Sequence, residues 1–455
     1  MQSAVRLLGL LAAAAALWSD GVLDLDFKFN DIASQSTPDN STLSCYKACV
    51  ATPRCVAWVL IPAGCGGANA TCYQKSAAVN GTAAACRIAG FTPAALAPQA
   101  LETAPVGSVT PQGWLAAELR VVAGGLMGAL PHFWPDIANS TFIGGKADGG
   151  LHERAPYWLN GLVPASYLTG DANLVALRES YLGYIVDHQA PSGWIGPDDL
   201  PADGNQYWGR MNILLALLQH YEGGRNASAI ACVFNYLAEA QRRLQGTPLG
   251  GWAAVRAQDW IMAIFWLVDN FDALQGVPQG RGFSQAWLLV LADQIHAQML
   301  QNDADWKTWF DTPLFPQTAA CVRGMPCNML THGVNIGQAI KSEAVWFRRS
   351  QDLTDADSTY IRMRKLDAYH GVPSGMYQAD EHLAGAVPSH GTETCAVVEA
   401  VVSYAQSGAI LGDPALFERA ERITYNALPA SMTKDTWERV YLQASNEYNA
   451  TRTDP

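Results

Sequence analysis

The stretch APYWLNGLVPASYLTGDANLVALRESYLGYIVDHQ, residues 155–189, contains the pattern of a complete helical hairpin. Apolar residues recur at three- and four-residue spacing on both sides of Thr169–Asp171, which is typical of amphipathic helices. Gly170 has the conformational freedom to end the first helix, and Asp171 is a preferred cap for the second one. The stretch therefore predicts two antiparallel helices joined by a tight turn.

The same pattern recurs along the rest of the C-terminal part, in about twelve amphipathic segments from residue 114 onward. The last and weakest is TKDTWERVYLQAS, residues 433–445, and Gly412–Pro414 repeats the signal of a tight turn. Consecutive hairpins of this number predict an (α/α)6 toroid, with an open α-solenoid as the alternative. Irregular segment lengths and the lack of a repeated consensus favour the toroid. We predict a mainly α fold, with a small disulfide-rich α+β module before it.

The cysteines indicate that module. Six of the ten lie between residues 45 and 86, and so dense a cluster predicts a disulfide-stapled unit. Six cysteines allow fifteen pairings, and the sequence does not choose among them. Cys321 and Cys327 are spaced to close a surface loop, which leaves Cys232 and Cys395.

The N-terminus, MQSAVRLLGLLAAAAALWSDG, has one basic residue before an apolar run and then small residues, which predicts a signal peptide over residues 1–20. Later segments look too short or too polar to span a membrane. Sequons begin at Asn40, Asn69, Asn80, Asn139, Asn226 and Asn449. We therefore expect a glycoprotein that is secreted, either extracellular or in a cell wall. The predicted order is this leader, a module over residues 40–90, a linker over 91–110 and a helical domain over 111–455.

The overall composition indicates a well-folded chain and is compatible with a neutral ligand. Hydrophobic residues make up 49% and charged residues 15%, enough to build a large core. The net charge of −12 argues against nucleic acid and anionic membranes as partners. It is compatible with a glycan.

The stretch DEHLAGAVPSHGTETCAVVEA, residues 380–400, concentrates acids, histidines and a cysteine before an apolar run. Carboxylate and thiolate are ordinary zinc ligands, but Glu393 and Cys395 supply only two of the usual four. At the start of a helix, the dipole would favour the Cys395 thiolate. The simpler alternatives are that Glu381 is a loop residue in a helix cap or a salt bridge, and that Cys395 is a structural thiol.

The first cysteine-rich stretch, SCYKACVATPRCVAWVLIPAGCGGANATCYQKS, resembles a PAN/Apple module, through its C-x3-C-x5-C-x2-W start and a later cysteine in CYQK. Such modules usually bind protein or carbohydrate. A stapled spacer is the alternative for this chain.

Five later stretches resemble, in order, glycoside hydrolase family 127, the β-L-arabinofuranosidase-like proteins. They are APYWLNGLVPASYLTGD, DGNQYWGRMNILLALLQHYE, THGVNIGQAIKSEAVWFRRS, ADEHLAGAVPSHGTETCAVVEA and ERAERITYNALPASMTKDTWE. The resemblance covers roughly residues 113–446. It implies an (α/α)6 barrel, usually followed by β-sandwich domains, and the release of terminal β-L-arabinofuranose or related sugars with retention. A cysteine thiolate, a glutamate acid/base and a zinc ion held by glutamate and cysteines belong to that chemistry.

By motif, the resemblance assigns the acid/base to Glu381 and two zinc ligands to Glu393 and Cys395. A glycosidic oxygen leaves only when protonated, so a carboxyl beside it fits the reaction. His332 matches a histidine that lines the sugar pocket of the family. The alternative for His332 is a helix cap or core residue. Trp158 and His382 are further candidates for sugar contact, with packing as the alternative for Trp158.

The chain departs from the family pattern after Cys395, because no later cysteine supplies the nucleophile or the remaining zinc ligands. Three explanations are open: truncation at the C-terminus, a different nucleophile such as Glu393, or a non-catalytic relative that binds glycans. Our main hypothesis is a secreted glycosidase acting on arabinofuranosyl glycans or glycoproteins. A catalytically inactive glycan-binding protein is the alternative. A hydrolase for unsaturated uronides is a third, but no cluster of Arg or Lys surrounds Glu381 in the sequence.

Overall fold

The computed structural model describes most of the chain between residues 22 and 444. The described residues are 22–27, 31–37, 40–50, 52, 55, 57–75, 81–91, 96–147, 149–198, 204–274, 276–278, 282–302, 304–321, 327–387 and 389–444. The predicted signal peptide lies outside them. The chain divides into two compact units, residues 1–97 with 284–287, and residues 98–283 with 288–455.

The first unit is an antiparallel sheet with one helix, as expected for the disulfide-rich α+β module. Its elements are β1 (Val22–Phe27), β2 (Asp31–Thr37), α1 (Thr42–Val50), β3 (Ala57–Ile61), β4 (Ala70–Lys75) and β5 (Gly81–Phe91). The strand order is β1-β5-β3-β4-β2, so the sheet uses two strands that precede the predicted start of the module at residue 40.

Disulfides and a small apolar core hold this unit together. The pairs are Cys45–Cys72, Cys49–Cys55 and Cys65–Cys86. Trp58 and Leu60 on the central strand are completely buried, as are Cys45 and Cys49 on α1. So few large apolar side chains make a small core, and domains of this kind depend on cross-links for stability.

The second unit is helical almost throughout. Its helices are α2 (Gly113–Val122), α3 (Pro135–Ala138), α4 (Arg154–Thr169), α5 (Ala172–Asp187), α6 (Trp208–Gly224), α7 (Ala227–Arg243), α8 (Gly251–Val255), α9 (Ala257–Asn270), α10 (Gln285–Gln301), α11 (Trp306–Asp311), α12 (Gly333–Ala339), α13 (Ser342–Ser350), α14 (Leu353–His370), α15 (Thr394–Leu411), α16 (Pro414–Tyr425) and α17 (Ala427–Ala430). Two short strands, β6 (Thr392–Glu393) and β7 (Leu442–Gln443), pair antiparallel.

Successive hairpins build a ring of packed helices. The helices α4, α6, α9 and α13 each pack against the next, and α15 packs against α12 and α13. The second helix of each hairpin packs against the first: α5 against α4, α7 against α6, α14 against α13, and α16 against α15. The turn between α4 and α5 is as predicted: Gly170 has a left-handed φ of 63°, and the Asp171 side chain accepts the N–H groups of Asn173 and Leu174.

One predicted helix is wrong. Residues 433–444 form a turn followed by β7, and not a helix. Thr433 donates its hydroxyl to Asp435, and Asp435 accepts the Trp437 N–H, so short polar side chains compete with helical hydrogen bonding here. This segment runs alongside the π-helical residues Ala123–Met127, where the Leu126 N–H donates to the Thr436 carbonyl.

Within the part of the chain that the structure describes, two helical stretches are long and apolar enough to cross a membrane, contrary to the sequence expectation: Gly113–His132 and α15. This is weak evidence for a membrane protein. More than half of the apolar window of α15 is buried inside the unit, as in a core helix. The other stretch is interrupted at Gly125, whose backbone is not helical.

Candidate functional site

The loop between α14 and α15, residues 371–393, carries most of the candidate site. It is ordered by short bridges of strand type: Ala379 pairs with both Leu383 and Thr392, and His382 pairs with His332. The Gly333 N–H also donates to the Glu381 carbonyl. The Glu381 loop is thereby fixed to the start of α12, far away in sequence.

Glu381 is held by two side chains. The Tyr441 hydroxyl donates to its Oε1 at 2.6 Å, and the His332 Nε2 lies 3.3 Å from its Oε2. About half of the Glu381 side chain, 49%, is exposed. A carboxyl that is oriented by fixed partners but open to solvent can exchange a proton with a bound molecule.

Glu393 lies deeper beside it. Only 3% of this residue is exposed, and its Oε2 is buried without a hydrogen-bond partner. Burial raises the pKa of the Glu393 carboxyl, and the nearby charge of Glu381 adds to the effect. One oxygen each of Glu381 and Glu393 and one nitrogen of His332 lie within 4.8 Å of one another.

Cys395 occupies the first turn of α15 beside Glu393. Its thiol is partly exposed at the surface, yet protein surrounds it on most sides. Desolvation by these surroundings and the Glu393 carboxylate raise the pKa of the thiol to about 12. Both effects oppose the helix dipole, which the sequence analysis expects to favour the Cys395 thiolate.

The two histidines of the site have different environments. His332 is the residue before α12, its ring meets the Trp252 ring edge to face at 5.2 Å, and its Nδ1 is buried without a partner. Burial and the positive charge of Arg256 lower the pKa of His332 to about 3, so its imidazole is neutral. His382 is half-buried, and its Nδ1 is 2.9 Å from the Thr331 hydroxyl.

Arg256 acts electrostatically on His332 and was not predicted from the sequence. Its guanidinium donates to Asn335 at 2.8 Å and to the Tyr157 hydroxyl at 2.9 Å. It also lies over the rings of Trp208 and Trp252, at 4.5 and 5.0 Å. These contacts fix the guanidinium in place as a buried positive charge facing the acids.

Glu153, just before α4, is a third acid in the electrostatic surroundings of the site. Burial raises its pKa to about 7, while Arg256 opposes the shift and Glu393 adds to it. A carboxyl that titrates near neutrality is unusual and often belongs to a functional site. Nothing in the local sequence LHERAP distinguishes it.

Trp158 lies elsewhere than predicted. The structure buries it to 8% exposure in the core, where its ring meets Tyr181 edge to face at 4.8 Å and its Nε1 donates to the Met127 carbonyl. It therefore packs α4 against its neighbours, as the alternative interpretation held.

Tyr441 is the third residue, after Arg256 and Glu153, that the sequence analysis did not identify. It was hidden in the segment predicted as the last helix, whereas the observed pairing of β6 with β7 brings it next to Glu381 and Glu393. Burial and the hydrogen bond to Glu381 raise the pKa of its hydroxyl, which stays protonated and available as a donor.

Comparisons with known proteins fit this architecture. Residues 25–75 match the model of the PAN domain family. Among solved structures, the chain is similar to a glycoside hydrolase (TM-score 0.52, 12% identity, covering 75% of this chain and 54% of that one). No curated protein matches by sequence.

Two further structures carry the family 127 name. One is a β-arabinofuranosidase, with TM-score 0.52, 13% identity, and coverage of 76% of this chain and 57% of that one. The other is a β-L-arabinofuranosidase from Geobacillus stearothermophilus T6, with TM-score 0.51, 12% identity, and coverage of 74% and 58%. The chain has a family 127-like fold. It joins this (α/α)6 toroid to an N-terminal PAN module and spans little more than half the length of the three structures.

The zinc site that the resemblance implies is not formed by the described residues. Beyond Glu393 and Cys395, it requires further cysteines, and the only other described cysteine outside a disulfide is Cys232, buried in α7. Cys321 and Cys327 pair with each other, as predicted. The thiolate-rich donor set therefore does not fit the described residues.

Proposed function

We propose that the chain is a retaining glycoside hydrolase that acts on terminal arabinofuranosyl groups of secreted glycans or glycoproteins. The observation that carries this proposal is the pair of carboxyls, Glu381 and Glu393, whose nearest oxygens lie within 4.8 Å. Retaining glycosidases place their two carboxyls about 5–5.5 Å apart, while inverting ones keep about 6.5–9.5 Å for a water molecule. The family 127-like fold supports the choice of sugar.

Glu381 is the acid/base in this proposal. It protonates the glycosidic oxygen, and the leaving group departs as an alcohol. The Tyr441 hydroxyl and the His332 ring hold the carboxyl in place, and the exposed half of the side chain is open to a substrate. In the second step, Glu381 takes a proton from water.

Glu393 is the nucleophile, because the described residues offer no thiolate for this role. Its carboxylate attacks the anomeric carbon as the glycosidic bond breaks, which forms a glycosyl ester. Water activated by Glu381 then displaces Glu393 and releases the free sugar with the original anomeric configuration. The neutral His332 and the fixed Arg256 lie beside these groups.

The test compares wild type with Glu381→Gln on β-L-arabinofuranosides of two kinds. A methyl glycoside needs protonation to leave, so its turnover should fall by about 10²–10⁴-fold. A dinitrophenyl glycoside leaves without help, so its loss should be far smaller. Glu438→Gln, a matched change of an exposed acid, should leave both rates unchanged. Equal losses on both substrates, or none, would refute the role of Glu381.

A non-catalytic glycan-binding protein is the second candidate, because burial and the Glu393 carboxylate raise the pKa of the Cys395 thiol and so disfavour a thiolate at this position. It predicts that wild type binds a methyl β-L-arabinofuranoside in calorimetry but never cleaves the dinitrophenyl analogue. Measurable cleavage by wild type would exclude this candidate.

A further inference from the structure

The disulfide Cys321–Cys327 differs in exposure from the other disulfides of the described residues. Both of its cysteines are exposed, whereas Cys45 and Cys72 are completely buried. In each of the two remaining pairs, at least one cysteine is buried or half-buried. A thiolate has to reach a sulfur atom to break a disulfide, and exposed disulfides are therefore the ones most easily reduced.

The two stretches that carry this disulfide, residues 316–321 and 327–331, are called the bracing segment here, because they hold the loop of the proposed acid/base. The Ala320 N–H donates to the Leu383 carbonyl at 2.6 Å, and the Leu383 N–H donates to the Thr331 carbonyl at 2.9 Å. Ala320 directly precedes the disulfide, and Thr331 follows it by four residues. The backbone two residues after the acid/base is thus bonded on both sides of the disulfide.

Two histidines add side-chain links between the bracing segment and the same loop. His370 is completely buried; its Nδ1 accepts the Gly385 N–H at 2.8 Å, and its Nε2 lies 2.8 Å from the Pro316 carbonyl. The His382 Nδ1 is 2.9 Å from the Thr331 hydroxyl. The loop is therefore held by α12 on one side and by the bracing segment on the other.

His382 also places an imidazole beside the disulfide. One of its ring nitrogens lies within 4.8 Å of both sulfur atoms, and the residue directly follows Glu381 in the chain. An imidazole at this distance can take the proton of an attacking thiol and return it to the cysteine sulfur that leaves. Thiol chemistry at the disulfide is thus coupled in space to the neighbour of the acid/base.

We propose that Cys321–Cys327 is a redox-active disulfide, with His382 as proton carrier, whose reduction by a dithiol loosens the loop of Glu381 and lowers turnover. One thiolate of the dithiol attacks a cysteine sulfur, the S–S bond breaks and a mixed disulfide forms. The second thiol of the reductant then displaces the cysteine. Two electrons and two protons pass to the protein, which gains two thiols, and the reductant becomes a disulfide.

Reduction removes the covalent link between the two stretches of the bracing segment. They can then separate, which favours opening of the hydrogen bonds to Leu383. The effect on turnover rests on the proposed function, whereas the reduction and the loosening of the loop do not.

The first measurement is the order in which the disulfides open. The full chain is treated with increasing dithiothreitol, new thiols are trapped with N-ethylmaleimide, and the labelled peptides are identified by mass spectrometry. Cys321 and Cys327 should be labelled at the lowest concentration. His382→Ala should slow this labelling by at least about tenfold. His188→Ala, which changes an exposed histidine at the end of α5, is the matched control and should leave the rate unchanged.

The second measurement follows the loop. Hydrogen exchange without sugar compares wild type, reduced wild type and the double variant Cys321→Ser/Cys327→Ser. Peptides that contain Leu383 should exchange at least about tenfold faster in the last two samples. Retained protection of α4 shows that they are folded. On the methyl glycoside, reduction should lower kcat by about tenfold or more, reoxidation should restore it, and the double variant should not respond to dithiothreitol.

Two results of these measurements would overturn the proposal: another disulfide opens first, or exchange around Leu383 stays the same once Cys321–Cys327 is open. An equal labelling rate in His382→Ala would refute the role of the imidazole. Because labelling and exchange are measured without sugar, an inactive protein whose loop loosens refutes the hydrolase alone. An active protein with the same kcat with and without the disulfide refutes the redox control alone.

Discussion

Tyr441 is the side chain on which the orientation of Glu381 depends most directly. Its hydroxyl donates to Glu381 at 2.6 Å, and a hydrogen bond to a charged group contributes about 1.5–3 kcal/mol. Tyr441→Phe should therefore lower kcat on the methyl glycoside by about 10–100-fold, with little change in KM. Tyr425→Phe, on an exposed ring, is the control. An unchanged kcat would mean that Tyr441 does not position the acid/base.

The role of Glu393 as nucleophile predicts how kcat/KM depends on pH. A nucleophilic carboxyl must be ionised, and burial raises the pKa of Glu393 above its ordinary value of 4.5. The kcat/KM should thus rise with pH through a limb whose midpoint lies above 4.5, because the reactive form is lost as pH falls through the raised pKa. A pH–rate profile measures this limb. A midpoint below 4.5 would contradict the role of Glu393 as nucleophile.

The site residues differ in whether the local sequence around them identifies them as site residues. Glu381, Glu393 and His332 lie in motifs that resemble a family, and the structure brings them within a few ångströms of one another. Arg256, Glu153 and Tyr441 carry no such motif. They join the site through helix packing and the pairing of β6 with β7, which are long-range features that a local pattern does not contain.

At the scale of elements, glycine and aspartate at helix ends were reliable signals. Gly170 and Gly412 both end a helix with left-handed φ, at 63° and 72°, followed by a capping aspartate. The error came at residues 433–445, where apolar spacing suggested a helix. Side-chain hydrogen bonds of Thr433 and Asp435 favour a turn there, and periodicity alone does not weigh them.

These two glycines give a paired prediction for stability. Gly170→Ala strains the backbone, but the new Cβ meets nothing within 4 Å, so it should cost about 1 kcal/mol. Gly412→Ala adds a contact of 2.8 Å with the Ala100 Cβ and should cost clearly more. Urea unfolding of both variants measures the difference. Equal costs would show that the contact with Ala100 relaxes freely.

At the scale of the whole molecule, the chain combines two units that are stabilised differently. The first has three disulfides and a small core, whereas the second has a large core of packed helices and a single described disulfide. The uneven distribution of the cysteines along the chain and the helical periodicity predict one disulfide-rich unit and one helical unit. The PAN domain and the disulfides fit an extracellular protein.

Reduction should therefore affect the two units unequally. Losing a native disulfide typically costs a small domain about 2–5 kcal/mol. After reduction, hydrogen exchange of peptides from β3 and β4 should accelerate strongly, while peptides from α4 and α6 keep their protection. Mass spectrometry reads both in one sample. If α4 and α6 lost protection to the same degree, the two units would unfold as one.

The most direct test of the proposed function is the anomer of the first sugar released from an aryl β-L-arabinofuranoside, followed by proton NMR. With carboxyl oxygens within 4.8 Å, we predict that β-L-arabinofuranose appears first and mutarotates later. Initial release of the α anomer would contradict the proposed double displacement. Complete absence of release by folded protein would leave a glycan-binding protein on a glycosidase fold.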